Sequence, residues 1–298
     1  MPPNSLHILP LSARYMMLSA LGFALMAVCV KEVSTYGIPV MEIIAARAIV
    51  SLIISYLDVK RKGISLWGLD KPLLIARGVV GALALICVYY AITTLPLAEA
   101  TLIQYLHPAF TAIIALIFLR EHLHLSTIIC IVLSIAGLAI IVQPGQLVGE
   151  LNELPLFSVI IAIMGALGSA IAYVLVRKLS QSEDSSVVIF YFPLVALPVA
   201  CLFPGESFVM PDLPALILLI LVGIFTQVGQ VGLTKAMQTE GAGKATAYSY
   251  VQVIFALILG WVIFAEIPSL WTWLGGSLII AGAFINIIGC PLNRASRD

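Results

Sequence analysis

Residues 98–141 read AEATLIQYLHPAFTAIIALIFLREHLHLSTIICIVLSIAGLAII, two long apolar runs hinged by Arg120-Glu121-His122-Leu123. Gln104, His107 and Pro108 lie roughly ten positions inside the first run. Polar and helix-breaking residues at that depth are costly against lipid, so they must face protein or a water-filled lining. A related hinged pair recurs at 245–286, and the recurrence sets the architecture.

Outward from this stretch the whole chain has the same character. Of 298 residues, 61% are hydrophobic and 10% charged, and the mean hydropathy is +1.11. One or two soluble cores could not enclose that much apolar surface, so the chain reads as an all-α membrane protein. Its formal charge is zero and no basic face is clustered, which argues against a nucleic-acid partner. The five cysteines fall in or beside apolar runs without CxxC spacing and read as small core residues. No short apolar segment with a basic flank and small-residue cleavage site opens the chain, so the first run is expected to stay as a span.

A helix needs about 20 apolar residues to cross a bilayer. Runs of that kind fall at 13–30, 40–57, 73–95, 97–119, 125–142, 155–176, 186–203, 213–236, 245–264 and 270–288. Ten spans are therefore expected, with the longest connection at 58–72. Cations set the orientation because short cytoplasmic loops retain Lys and Arg. With both termini cytoplasmic, twelve cations fall inside and Lys31 alone outside, while Arg47 and Arg77 lie within spans. An integral protein of the cell (inner) membrane is the expectation.

Sliding the chain by 145 residues superposes Ala100-Thr101 on Ala245-Thr246, Tyr105 on Tyr250, Glu121 on Glu266 and Ile135-Ala136-Gly137 on Ile280-Ala281-Gly282. A shift of 146 places Leu21-Gly22 on Leu167-Gly168 and Lys31 on Arg177. Two repeats, 1–150 and 151–298, then hold five helices each. An odd number forces the second to enter from the opposite side, giving inverted-topology repeats suited to alternating access.

The third and fourth spans carry Arg77-Gly78, Tyr89-Tyr90-Ala91-Ile92, Leu95-Pro96-Leu97-Ala98-Glu99-Ala100-Thr101 and Pro108. The hinge adds Phe118-Leu119-Arg120-Glu121, and the second half Phe264-Ala265-Glu266 and Gly282. In these motifs the chain resembles the drug/metabolite transporter superfamily, and within it the EamA-type ten-helix carriers, over essentially its whole length. The resemblance implies a central cavity lined by the first, third, fourth, sixth, eighth and ninth spans, with the fifth and tenth peripheral. Small residues at Ser134, Gly137, Gly275, Gly276 and Gly282 suit close helix contact there or a homo-oligomer contact.

The candidate substrate-binding residues follow from polarity inside spans. Arg47, mid-span, costs about 3 kcal/mol on insertion scales if unpaired; Glu42 is an imperfectly phased partner. Arg77 lies a turn inside the third span and can snorkel. Gln104 and His107 share a face, and Pro108 leaves the Gln104 carbonyl unpaired. His107 could also relay a proton. In the eighth span Gln227, Gln230 and Thr234 form one polar stripe, answered by Tyr248, Ser249 and Gln252 in the ninth. Tyr89, Tyr90 and Tyr173 add rings that can stack on a solute or hydrogen-bond it. For each, packing or an interhelical hydrogen bond is the structural alternative. Glu121 and Glu266 at the hinges are expected to bracket helix ends.

No Walker loop, HExxH, GxSxG, cofactor motif or metal cluster is visible. The expected function is secondary transport of a small polar or amphipathic metabolite, an amino acid or related anionic or zwitterionic solute first, with no enzymatic activity. A proton-coupled drug efflux carrier is the alternative, and a membrane-embedded enzyme or a channel stands further off.

Overall fold

The computed structural model describes residues 11–118, 125–142, 154–202, 209–239 and 248–289. Their regular structure is helical throughout: α1 Leu11–Ser34, α2 Val40–Lys62, α3 Lys71–Thr94, α4 Leu97–Gln104, α5 His107–Phe118, α6 Leu125–Val142, α7 Leu156–Leu179, α8 Ser185–Leu202, α9 Leu213–Thr239, a 3-10 turn Tyr248–Tyr250, α10 Val251–Phe264 and α11 Leu270–Gly289. Among the described residues six segments are long and apolar enough to cross a membrane: α1, α2, α3, α7, α9 and Glu99–Phe118, the last formed by α4 and α5. The outward surface carries Ile53, Leu83, Val132, Met164 and Val262, all exposed, as lipid-facing positions would be.

Local chemistry sets the helix ends. Pro39, Pro96 and Pro155 precede α2, α4 and α7, where a fixed φ and missing N–H cost least. The expected connection at 58–72 shrinks to residues 63–70, because α2 runs on past its apolar portion. Arg61 and Lys62 pair with Asp58 one turn back, at 2.9 and 3.8 Å. The single span expected over 97–119 is broken. Tyr105 N–H bonds Thr101 and Leu102 carbonyls at 2.9 and 3.1 Å, and Leu106 N–H reaches Ile103. Pro108 has no N–H to offer the Gln104 carbonyl, so the ladder stops there and restarts as α5.

Across the two parts, α1 packs on α9, α2 on α8, α3 on α7, α4 on α10 and α6 on α11. Under the 145- to 146-residue offset α7 corresponds to α1 and α9 to α3, so the α1–α9 and α7–α3 contacts exchange with one another. The α1–α9 contact is antiparallel and close. A Cβ on Gly22 would stand 2.8 Å from Gly229 N, and one on Gly232 would stand 2.6 Å from Tyr15 O. Ser19 Oγ donates to the Gly229 carbonyl at 2.7 Å, a contact that small residues permit. Likewise Gly137 of α6 lies against Gly275 and Ile279 of α11.

Polar ties close both ends of the bundle. At one end Lys31 pairs with Glu266 and donates to the Leu95 carbonyl at 3.2 Å. Glu266 Oε2 also accepts the Leu97 N–H at 2.8 Å, capping α4, so Glu266 does bracket a helix end. Glu121 lies outside the described residues. At the other end Lys62 Nζ sits 2.9 Å from Asp184 and donates to Ser186 Oγ at 2.6 Å, and Arg177 donates to the Met237 carbonyl at 2.7 Å.

Candidate substrate cavity

Between these ends α1, α3, α4, α7, α9 and α10, with Arg47 of α2 and Phe192 of α8, line a cavity of about 120 Å³ that is partly open to the surroundings. Small residues make the room: Ala27, Gly81, Ala84, Ala91, Ala100 and Ala172 all line it. Neither α6 nor α11 contributes a lining residue; they pack on each other instead.

Eight of the expected residues meet on this cavity: Arg47, Arg77, Tyr89, Gln104, His107, Tyr173, Gln230 and Gln252. Three do not. Gln227 turns toward α2 and donates to Ser55 Oγ at 2.9 Å. Tyr90 packs edge-on against Phe157, with centroids 5.9 Å apart. Tyr248 packs beside the core cluster that holds Met16, Leu179 and Leu233. The stripe on α9 is thus divided: Gln230 faces the cavity, while Gln227, three residues away, is held between helices.

The polar wall from the broken helix is tied to the second part of the chain. Gln104 Nε2 donates to Ser169 Oγ on α7 at 2.8 Å, and Tyr105 Oη donates to Gln252 Oε1 at 2.7 Å. Gln104 keeps its Oε1 buried without a partner, as does His107 at Nδ1. The His107 ring stands edge-on to Tyr173 at 4.8 Å and tilted to Tyr105 at 5.2 Å. Its helix is steadied by Thr111 Oγ1, which donates to the His107 carbonyl at 2.7 Å.

The cations Arg47 and Arg77 line the same cavity. Arg47 and Arg77 are 2% and 3% exposed, and neither forms an ion pair among the described residues. Glu42, weighed as a partner for Arg47, instead accepts the Val209 N–H at 3.1 Å. Both guanidinium carbons lie 5.0 Å from the centroid of one ring, Phe192 of α8, and Arg47 lies 5.5 Å from that of Tyr89. Nε and Nη1 of each arginine have no hydrogen-bond partner. The described lining holds no carboxylate, and no group of metal-ligating side chains occurs among the described residues.

Sequence reasoning did not find Phe192, which sits in an apolar helix with nothing to distinguish it. Gly81 was also missed, although its position four residues after Arg77 was a readable signal. A Cβ there would collide with Arg77 Nη1 and come 2.8 Å from Phe192 Cε2. Glycine leaves the space in which the Arg77 guanidinium runs forward along its own helix and lies over the ring.

An apolar helical bundle around a cavity that gathers buried polar and charged side chains is consistent with a membrane transporter, and comparison with known proteins agrees. The chain belongs to the EamA-like transporter family, which it matches twice, over residues 11–143 and 156–288. It is similar to the pseudopaline exporter CntI of Pseudomonas aeruginosa, 31% identical over 88% of this chain and 91% of that protein. Solute carrier family 35 member G1 of mouse is 34% identical over 94% of this chain and 78% of that protein. A solved crystal structure superposes with a TM-score of 0.71 over 93% of this chain and 96% of that one, at 19% identity, and shows the shared fold.

Proposed function

We propose that the chain is a secondary carrier that moves a small organic metabolite, anionic or zwitterionic, through this cavity by alternating access. The observation that carries the reading is the pair of buried arginines with unpartnered N–H groups facing a cavity wide enough for a metabolite. Unpaired buried cations destabilise a fold, and their presence is explained if an anion completes them. Gln104, His107, Gln230 and Gln252 then meet the uncharged part of the solute. Amino acids and related metabolites are the first class to test.

Alternating access would come from two five-helix repeats, 1–150 and 151–298, of inverted topology, with α4 and α5 forming one of ten spans. The exchanged α1–α9 and α7–α3 contacts support this, since a two-fold relation between the repeats requires them. The cation distribution supports cytoplasmic termini in the cell (inner) membrane, and the exposed small residues Ala136, Ala139, Ser277 and Ala281 of α6 and α11 would suit a homo-oligomer. The name of the Pseudomonas relative favours export.

Purified protein in proteoliposomes tests the reading. Saturable uptake of a labelled amino or organic acid, accelerated by unlabelled solute on the far side, is expected. Binding without flux would remove the carrier assignment.

A further inference from the structure

We infer that the cavity selects organic solutes bearing two carboxylates, one held by Arg47 and one by Arg77, with Gly81 as the residue that positions the second cation. This deepens the transport reading and rests on it for the claim that the bound solute is also moved.

Charge count is the first argument. Two guanidinium groups face the cavity, the described lining offers no carboxylate to either, and what stands beside them is cation–π attraction from Phe192 and Tyr89 and, for Arg47, a hydrogen bond with the uncharged Tyr89 hydroxyl. Such attraction is worth about 0.5–2 kcal/mol, far less than the desolvation of a buried ion. A monoanion would compensate one arginine and leave the other uncovered when the cavity closes. A solute with two negative groups compensates both.

Geometry is the second argument. Both guanidinium carbons are 5.0 Å from the Phe192 centroid, so they lie within twice that distance of each other. Two carboxylates on a chain of four to six carbons bridge such a gap, and each guanidinium keeps free N–H donors for one of them. The Phe192 ring is the shelf both cations share. Gly81 makes the room for one of them, because a Cβ there would meet both Arg77 Nη1 and the Phe192 ring and oblige one of them to shift. On the same lining, the unpartnered Gln104 Oε1 and His107 Nδ1 can accept hydrogen bonds, so a hydroxyl or amine on the same carbon chain is tolerated.

The test is ligand-induced thermal stabilisation of the full-length purified protein, with affinities taken from titration. Succinate and glutarate are compared with succinamate, which lacks one carboxylate, with butyrate, and with glycerol 3-phosphate, which carries its two charges on one group. Removing one charge-assisted pair is expected to weaken binding by at least about tenfold, so both dicarboxylates should bind tighter than succinamate and butyrate by that factor. Arg47→Gln and Arg77→Gln should each erase the difference. Gly81→Ala should reduce dicarboxylate affinity by a larger factor than that of butyrate, narrowing the difference between them. The wild-type series needs no variant to fold. Equal affinity for succinate and succinamate, or tighter binding of glycerol 3-phosphate than of either dicarboxylate, overturns the inference. Unchanged discrimination in Gly81→Ala overturns the role of that residue. If a neutral or zwitterionic solute is transported while dicarboxylates are not bound, the inference fails and the carrier reading survives. Dicarboxylate binding without flux does the reverse.

Discussion

The cations at the ends of the bundle and the cations inside it are treated in opposite ways. Lys31 is matched by Glu266, and Lys62 by Asp58 and Asp184; each cation also meets a carbonyl or hydroxyl. Arg47 and Arg77, more deeply buried than either lysine, have no carboxylate among the described residues; aromatic rings lie beside them, the Tyr89 hydroxyl meets Arg47, and both keep spare N–H groups. Burial should make partners more necessary, since the uncompensated charge costs more there. The difference therefore separates cations that hold the fold from cations kept for something that arrives from outside it.

The sharpest way to break this comparison is to remove one cation of each kind. Arg47→Met should abolish uptake of anionic solutes, by about a hundredfold or more, while the thermal midpoint of the empty protein stays level or rises, because an unpaired buried charge has gone. Uptake in proteoliposomes and a melting curve read the two effects. A variant that melts much earlier would place Arg47 among the structural cations. Glu266→Gln should behave in the opposite sense. It leaves Lys31 without its counter-charge and weakens the cap on Leu97, a loss of about 1–3 kcal/mol in stability, seen as a lower midpoint with no change in solute preference.

Glutamines sharpen the contrast at neutral sites. Gln104→Leu removes a cavity acceptor and the tie to Ser169, and should raise the half-saturating solute concentration about tenfold, the scale of a lost hydrogen bond to a polar ligand. Gln227→Leu touches only the contact with Ser55. It should shift stability by about 1 kcal/mol and leave uptake per folded molecule unchanged. A large uptake defect in the second variant would return Gln227 to the site.

Why the sequence separated some of these residues and not others is a matter of period and of partners. The places of the helices were legible because apolar runs have a length fixed by the bilayer. The break between α4 and α5 was foreshadowed by Pro108, though its extent was not: Tyr105 and Leu106 leave the helix too. Arg47 and Arg77 were readable as costly charges, and Gln230 and Gln252 as polar groups in apolar surroundings. Gln227 looked the same as Gln230 because three residues on a helix keep a side chain on roughly one face. Only the approach of α2, with Ser55 at the right height, turns one glutamine inward and the other aside. Phe192 was invisible, since a phenylalanine in an apolar helix becomes part of a site only through the two cations that other helices bring to it.

The smallest expected effect concerns pH at the Lys62 end. Partial burial acts to raise the Asp184 carboxyl, but the hydrogen bonds from Lys62 and from the Ser186 backbone prevail and hold it below the ordinary carboxylate range. A carboxyl depressed on folding stabilises the folded state fully above its unfolded value, about 3.9 for aspartate, and loses that contribution as the pH falls through its lower folded value. Neutral-pH stability should therefore include this group and strongly acidic stability should not. Asp184 is well exposed, at 42% of its side chain, so solvent screens the pair and the effect is small. Asp184→Asn should lower the melting midpoint slightly at neutral pH, and the wild-type and variant midpoints should converge as the pH drops below the unfolded aspartate value. Lys62 would then hold its other contact, Ser186 Oγ, and the bundle end should stay closed. A midpoint difference that persisted in acid would mean that Asp184 acts through its hydrogen-bonding shape rather than its charge, and Asp184→Ala, which removes both, would show the full loss at every pH.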